Sequence, residues 1–458
     1  MNRAPNTQLI SLMDEAGISN KGLAKRMRDL AEHRGEPLGT THVSVQRWRS
    51  GASIKPTTAA VMADVLSARL RRRITPGDLG FFGKPESAAA QTHVDYPGTA
   101  DEALAQLDSL SSMDGGAPCG SSRLIVADGD LSTAVLSWMT SRPDGVRPDL
   151  PNRRRVGMRD VRAIRTAGKM FMELDFQFGG GHGHRALRHY FRHEVLPLLD
   201  ASYSEKVGAA LFGAASEIAQ LLAWTAYDSG NHRLAHRYLT STLRLTQVTG
   251  DRTFGARILS NLSHQANYLG HHVQSAQMAR AAIEGSRGQA TPRAMSMFTA
   301  MEARALSNAG DARGAGRAMN EAEHHFERAD TAEDPEWLSY FDSAELMGEF
   351  CHCFRDLRQR CEAVRYAQHA VDSTDPKYAR TLGFCRMVLA QSLLINGELE
   401  AAVDTATLAV EAGDSLQSAR FQRYVSDFQG EITGHSTNPA AVAFNEHVRQ
   451  AIARLDEE

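Results

Sequence analysis

Apolar residues recur at helical spacing through most of this chain, and the faces they make predict a protein built of helices. Leu9, Ile10, Leu12 and Met13 fall on one side of a segment from Thr7 to Ala16, with Thr7 as candidate cap and Gly17 suited to its C-terminus. Leu23, Ala24 and Met27 make the apolar face of a second helix, capped by Ser19 or Asn20, with the small Ala24 where another helix must approach closely. Val45 and Trp48 sit one turn apart on a third. Gly51 to Pro56 breaks the pattern, and Thr57 or Thr58 caps a fourth helix carrying Ala60, Val61, Ala63, Val65, Leu66 and Leu70.

Further along, the glycines reveal a period. Gly230, Gly270 and Gly310 lie 40 residues apart, each between two apolar helical stretches. Five residues after each glycine comes Ala235, Ser275 or Ala315, and seven later Thr242, Ala282 or Ala322. Two weaker copies follow, one with Ala363 and Ala370, the other with Gly397, Ala402 and Ala409. The pattern describes a helix, a tight glycine turn and a second helix, with small residues where the two cross. Such a pair cannot bury its apolar face alone, so neighbouring pairs must stack into a solenoid with a concave side. Arg159 to Leu174 and Ala186 to Leu199 predict a preceding helix pair, and Ala440 to Leu455 a terminal cap.

Between the two regions, Gly83 to Asn152 is rich in Gly, Ser, Ala and Pro. Two islands, Asp101 to Leu110 and Arg123 to Thr140, are patterned for short helices that dock onto a folded part or a partner subunit. The expected fold is therefore all-α, with an N-terminal domain at 1–83, a flexible linker at 84–156 and a helical-repeat domain at 157–458.

Charge separates the two ends. Residues 1–84 hold 14 Lys and Arg against 7 Asp and Glu; the whole chain has 51 and 54, so residues 85–458 hold 37 and 47 and carry a net -10. A basic head on an acidic body suits a chain of which one end meets phosphates. There is no run of about 18 apolar residues and no signal-peptide h-region, which predicts a cytoplasmic protein without a membrane partner. Five cysteines, an odd number, do not make a disulfide framework.

In the head, the hydrophilic remainder of the third helix (Thr41, His42, Ser44, Gln46, Arg47, Arg49) is what a helix lying in the major groove presents. Lys21, Lys25, Arg26 and Arg28 would stand beside the DNA backbone. The segment resembles the helix-turn-helix regulators of the phage-repressor (XRE-like) type in their actinobacterial form, on Trp48, Gly51, Pro56, Arg72 or a neighbouring arginine, Thr75, Asp78, Leu79 and Gly80. The resemblance implies that Thr41, His42, Ser44, Gln46 and Arg47 face base edges, while Asn20, Lys21, Lys25 and Arg49 hold phosphates. One departure is clear: Met27 and Val45 are 18 residues apart, so EHRGEPLGT must form a longer loop than the compact motif has.

The body resembles tetratricopeptide repeats, though 40 residues exceeds their usual period. Trp224, Tyr227, His264, Asn267 and Tyr268 recur at matching places in the first two copies. With Asn261 they are candidate ligand-binding residues on the concave side, the two amides able to hold an extended peptide backbone. Packing between repeats is the competing role for these side chains.

FGGGHGH, Phe178 to His184, follows a helix and lacks the P-loop pattern, so it reads as a mobile loop between helices. His182, His184, His189 and His193 lack the Glu of an H-E-x-x-H pair. Cys351 and Cys353 point apart on a helix and read as buried small residues. No metal, cofactor or catalytic constellation is expected. The whole plan resembles actinobacterial regulators of development and secondary metabolism. Because two heads on a symmetric body double the contacts of one small head, the expectation is a homodimeric repressor of a pseudo-palindromic operator in double-stranded DNA, with the repeat groove open to a peptide, small-molecule or protein effector. The alternative is an interaction protein that sequesters a partner and no longer reads DNA.

Overall fold

The computed structural model describes residues 6–33, 38–52, 54–70, 74, 79, 96–113, 128–146, 153–413 and 416–457. Among these the chain is all-helical, without a strand, and it divides into two compact units, Met1–His93 and Val94–Glu458.

In the first unit, α1 (Thr7–Glu15), α2 (Asn20–His33), α3 (His42–Arg49) and α4 (Pro56–Leu70) enclose one small core. Leu9, Leu12, Met13, Leu23, Ala24, Met27, Val45, Met62 and Leu66 meet there, with Trp48 half-buried at the edge. The caps differ from expectation at both ends of the unit. Asn6, not Thr7, caps α1, its Oδ1 accepting from the Leu9 N–H at 3.0 Å while its Nδ2 donates to the Leu79 carbonyl at 2.8 Å. The fourth helix starts on Pro56 itself, whose missing N–H is harmless in a first turn, so Thr57 and Thr58 lie inside the helix. Ser19 caps α2 as expected, accepting from the Gly22 N–H at 3.1 Å. Residues 34–37 of the long loop, and Arg72, Thr75, Asp78 and Gly80 of the family-like ending, lie outside the described residues.

The second unit begins well before the boundary expected at residue 157. Its first helices, α5 (Ala100–Met113) and α6 (Asp128–Thr140), are the two islands of the Gly/Ser-rich region. They are part of the body: Leu107, Leu110, Ala134 and Trp138 belong to its main apolar core. Most of the low-complexity sequence around them, 80–95, 114–127 and 147–152, with Cys119, lies outside the described residues.

α7 (Met158–Phe178) and α8 (Gly180–Tyr190) follow, the latter passing through a wide turn at Phe191–Val195 into α9 (Leu196–Leu199). Five helix pairs come next: α10 (Glu205–Asp228) with α11 (His232–Thr249), α12 (Arg252–Tyr268) with α13 (His272–Ser286), α14 (Pro292–Asn308) with α15 (Ala312–Glu327), α16 (Ser343–Asp356) with α17 (Arg360–Ser373), and α18 (Ala379–Asn396) with α19 (Leu399–Ala412). α20 (Ala419–Glu431) and α21 (Pro439–Glu457) close the chain. The positions chosen from the glycine alignment are the crossing points: Ala235, Ser275, Ala315, Ala363 and Ala402 are all fully buried. At the turns Gly230, Gly270, Gly310 and Gly397 have φ of 82°, 87°, 78° and 93°, where a Cβ is strained. The fourth pair has no glycine at this place, and Arg358 takes the left-handed conformation instead, at φ 56°.

α10 is long and apolar enough, by length and composition, to cross a membrane. Its composition has another cause here: α7, α8, α11 and α12 all pack on it, burying Leu211, Ala215, Ile218 and Leu222. The first helices of successive pairs pack in series from α12 to α18, and α7 touches both α10 and α18. The early and late helices of the array therefore meet.

Candidate nucleic-acid interface

α3 is fixed to its unit by Val45, which is fully buried, and by Trp48 one turn on. Its exposed side carries Thr41, His42, Val43, Gln46 and Arg47. Two of the expected base readers are partly committed to the helix start: the Thr41 hydroxyl accepts from the Ser44 N–H at 3.4 Å, and the Ser44 hydroxyl from the Thr41 N–H at 3.3 Å. This reciprocal cap stabilises a helix of only eight residues. It leaves His42, Gln46 and Arg47 as the long side chains of the exposed stripe.

Among the expected phosphate holders, Lys21 and Lys25 are exposed on α2, beside Arg26. Asn20 and Arg49 instead hold each other, the Arg49 guanidinium donating to Asn20 Oδ1 at 3.1 Å and tying the start of α2 to the end of α3. Arg28 is also committed, donating to the Thr40 carbonyl at 2.6 Å just before the α3 cap. Val43, half-exposed at 52%, was not singled out by sequence reasoning. Its signal was there: a valine two residues from the buried Val45 must point to the other side of the helix.

In the body, four of the six proposed ligand-binding residues, Trp224, Tyr227, His264 and Tyr268, come together around the chain's own arginines. The Arg420 guanidinium lies 5.4 Å from the Trp224 ring, 4.7 Å from Tyr227, 5.8 Å from Tyr268 and 5.0 Å from Phe384. His264 sits between Tyr227, whose hydroxyl is 3.0 Å from Nδ1, and Arg304, whose guanidinium donates to Nε2 at 3.2 Å. Burial and the nearby Arg304 and Arg420 hold the His264 pKa well below its usual value. The ring is thus neutral, with its proton on Nδ1 and directed at the Tyr227 oxygen. Asn261 is half-buried on the same helix. Asn267 stands apart: its Oδ1 accepts from His272 Nδ1 at 2.8 Å across the glycine turn.

Beside this aromatic group lies a buried charge junction. Asp228, at the C-terminus of α10, has no exposed surface; it faces Arg380 at 3.4 Å and Arg420 at 3.6 Å and accepts from the Gly180 N–H at 2.9 Å. Burial works to raise its pKa, but Arg380, Arg420 and the Gly180 N–H outweigh it and the net shift is downward. Asp175 of α7 lies 3.4 Å from Arg380, and there burial dominates, pushing the carboxyl up to about 6.

The FGGGHGH segment belongs to this junction, which corrects the expectation of a mobile loop. It is the start of α8, pressed between α10 and the segment before α20. A Cβ on Gly180 would stand 2.6 Å from the Thr225 carbonyl, and one on Gly179 2.9 Å from that of Gln417. His184 Nδ1 is 2.7 Å from the Thr225 hydroxyl. The His189 and His193 rings lie 4.4 Å apart, tilted by 43°, and among the described residues no group of three His, Cys, Asp or Glu could hold a metal ion. Cys351 and Cys353 are buried as read, whereas Cys361 is exposed and Cys385 intermediate.

Residues 9–82 match the family model described as the SP15 N-terminal domain. None of the curated proteins matches the chain. The match falls on the four helices of the first unit.

Proposed function

We propose that the protein is a sequence-specific DNA-binding transcriptional regulator, a repressor acting as a homodimer on a pseudo-palindromic operator. In this reading α2 and α3 are a helix-turn-helix of the XRE-like kind and the helix pairs of the body are tetratricopeptide-like repeats. The observation that carries it is the division of α3 into a buried anchor and an exposed polar stripe, beside the basic exposed side of α2. An eight-residue helix held by Val45 and Trp48, with His42, Gln46 and Arg47 outward, has the dimensions and donors of a major-groove reader. Arg47 suits bidentate contact with guanine, and Lys21 and Lys25 suit phosphates. Two such heads on a symmetric assembly would double the contacts of one small head.

The body supplies the regulatory half of the proposal, binding an effector that shifts the relation of the two heads. A groove residue of the first two repeats is a weaker candidate than it was from sequence, because Trp224, Tyr227 and Tyr268 already surround Arg420.

The test compares two substitutions on an operator selected from a random duplex library. Arg47→Ala is expected to lose discrimination between operator and scrambled duplex, while Lys25→Ala weakens both alike. Equal behaviour of the two variants would contradict the assignment of α3 as the reading helix.

A further inference from the structure

Among the described residues, Val43 takes no part in the apolar core of the first unit. It is 52% exposed, and β-branched residues are mediocre helix formers, so neither packing nor propensity accounts for it. A single exposed valine on an ordinary surface needs no account. Its place here is unusual: on the second residue of α3, between His42 and the stripe of Gln46 and Arg47, on the opposite side from the buried Val45.

Resting on the proposed DNA reading, we infer that Val43 is a specificity-determining residue that recognises thymine through its C5-methyl group. The major-groove edge of thymine is the one base edge that presents an apolar group, and an aliphatic side chain is its natural complement. Cytosine offers a polar amino group at that edge, which Val43 would desolvate without a partner. Exposed cations of the same unit, Lys21, Lys25 and Arg26, suit the duplex that carries such a base. Val43 thus adds an apolar element to a face whose other long side chains read by hydrogen bonds.

Deoxyuridine lacks only that methyl, which makes the inference directly testable. Duplexes are selected with the full-length protein from a random library, and each thymine of the recovered site is replaced in turn by deoxyuridine. Wild type is expected to lose affinity about fourfold at one thymine of each half-site, the equivalent of one buried methyl-sized group. Val43→Ala should bind the thymine duplex less well by a similar factor and be indifferent to deoxyuridine at that position, while Val43→Ile should stay sensitive. Recovery of a site at which no deoxyuridine matters, or sensitivity that Val43→Ala retains, would overturn the inference and leave the DNA reading intact. Recovery of no duplex at all would overturn both.

Discussion

Trp138 offers the sharpest test of how the body is assembled. It lies on α6, in a region whose composition reads as linker, yet it is 1% exposed and seated between two glycines. A Cβ on Gly255 of α12 would stand 2.3 Å from its Nε1, and one on Gly285 of α13 2.2 Å from its Cζ3. Arg252 covers the ring at 4.9 Å and donates to the Ser141 carbonyl at 3.0 Å, fastening the end of α6. Removing the indole by Trp138→Ala should cost about 3–5 kcal/mol, the range for emptying an aromatic core position. Gly285→Ala should cost a similar amount in the wild type, because a methyl more than 1 Å inside ordinary contact distance expels the ring. The two effects should not add. On the Trp138→Ala background the Gly285→Ala methyl enters an empty cavity and should be neutral or slightly stabilising. Urea denaturation of the four proteins, followed by far-UV circular dichroism, measures the cycle. A harmless Gly285→Ala in the wild type, or costs that sum in the double variant, would refute the account of a tryptophan seated in a glycine socket.

Other predictions follow from the same geometry. Arg358→Gly should stabilise the protein by about 0.5–1 kcal/mol, since a non-glycine residue at φ 56° carries a left-handed cost of about 1–2 kcal/mol that glycine's greater unfolded freedom only partly offsets; the urea midpoint measures it, and a loss of stability would contradict it. Asp228→Asn should destabilise by about 3 kcal/mol or more, because it leaves Arg420 buried beside a neutral amide; a cost under ~1 kcal/mol by the same assay would mean the junction carries little. Burial, with Glu349 and Asp342 nearby, raises the Glu345 carboxyl to about 8. The folded state then holds a proton that the unfolded chain releases near pH 4.5, so this group's contribution to stability declines as pH rises from there through about 8. Thermal melts of Glu345→Gln should therefore lose less between pH 6 and 9 than wild type; identical slopes would contradict the shift.

The parts of this fold that could be read from the chain are those governed by local rules. The turn glycines and the small residues that follow them, Ala235, Ser275 and Ala315, mark each helix crossing because only small side chains let two helices approach closely. The first core was legible for the same reason: Leu9, Leu23, Met27, Val45 and Leu66 obey the helical period. Long-range pairing was not legible. Asp228 meets Arg380 from 152 residues away, and nothing local in either segment marks the partner. Composition misled at two places. Glycines at 179–181 suggest mobility, but they are there because Thr225 and Gln417 leave no room for a Cβ. The linker-like region hides Trp138, whose socket is made by residues more than a hundred positions later. At the candidate interface, the polar face of α3 was readable, whereas the roles of Thr41 and Ser44 as a mutual cap, and of Asn20 and Arg49 as a pair, needed coordinates. Arg358 shows the limit of glycine counting, since a non-glycine residue adopted the same turn.

The central claim, that the first unit serves to read duplex DNA, is tested most directly by the salt dependence of binding. Fluorescence anisotropy of the full chain with its selected duplex, from 50 to 300 mM salt, gives the slope of log affinity against log salt. If Lys21, Lys25 and Arg26 meet phosphates, the slope should be about -3 for one head and about -5 for two. A slope near zero, or no binding at low salt, would contradict the account and favour a protein that works by capturing a partner.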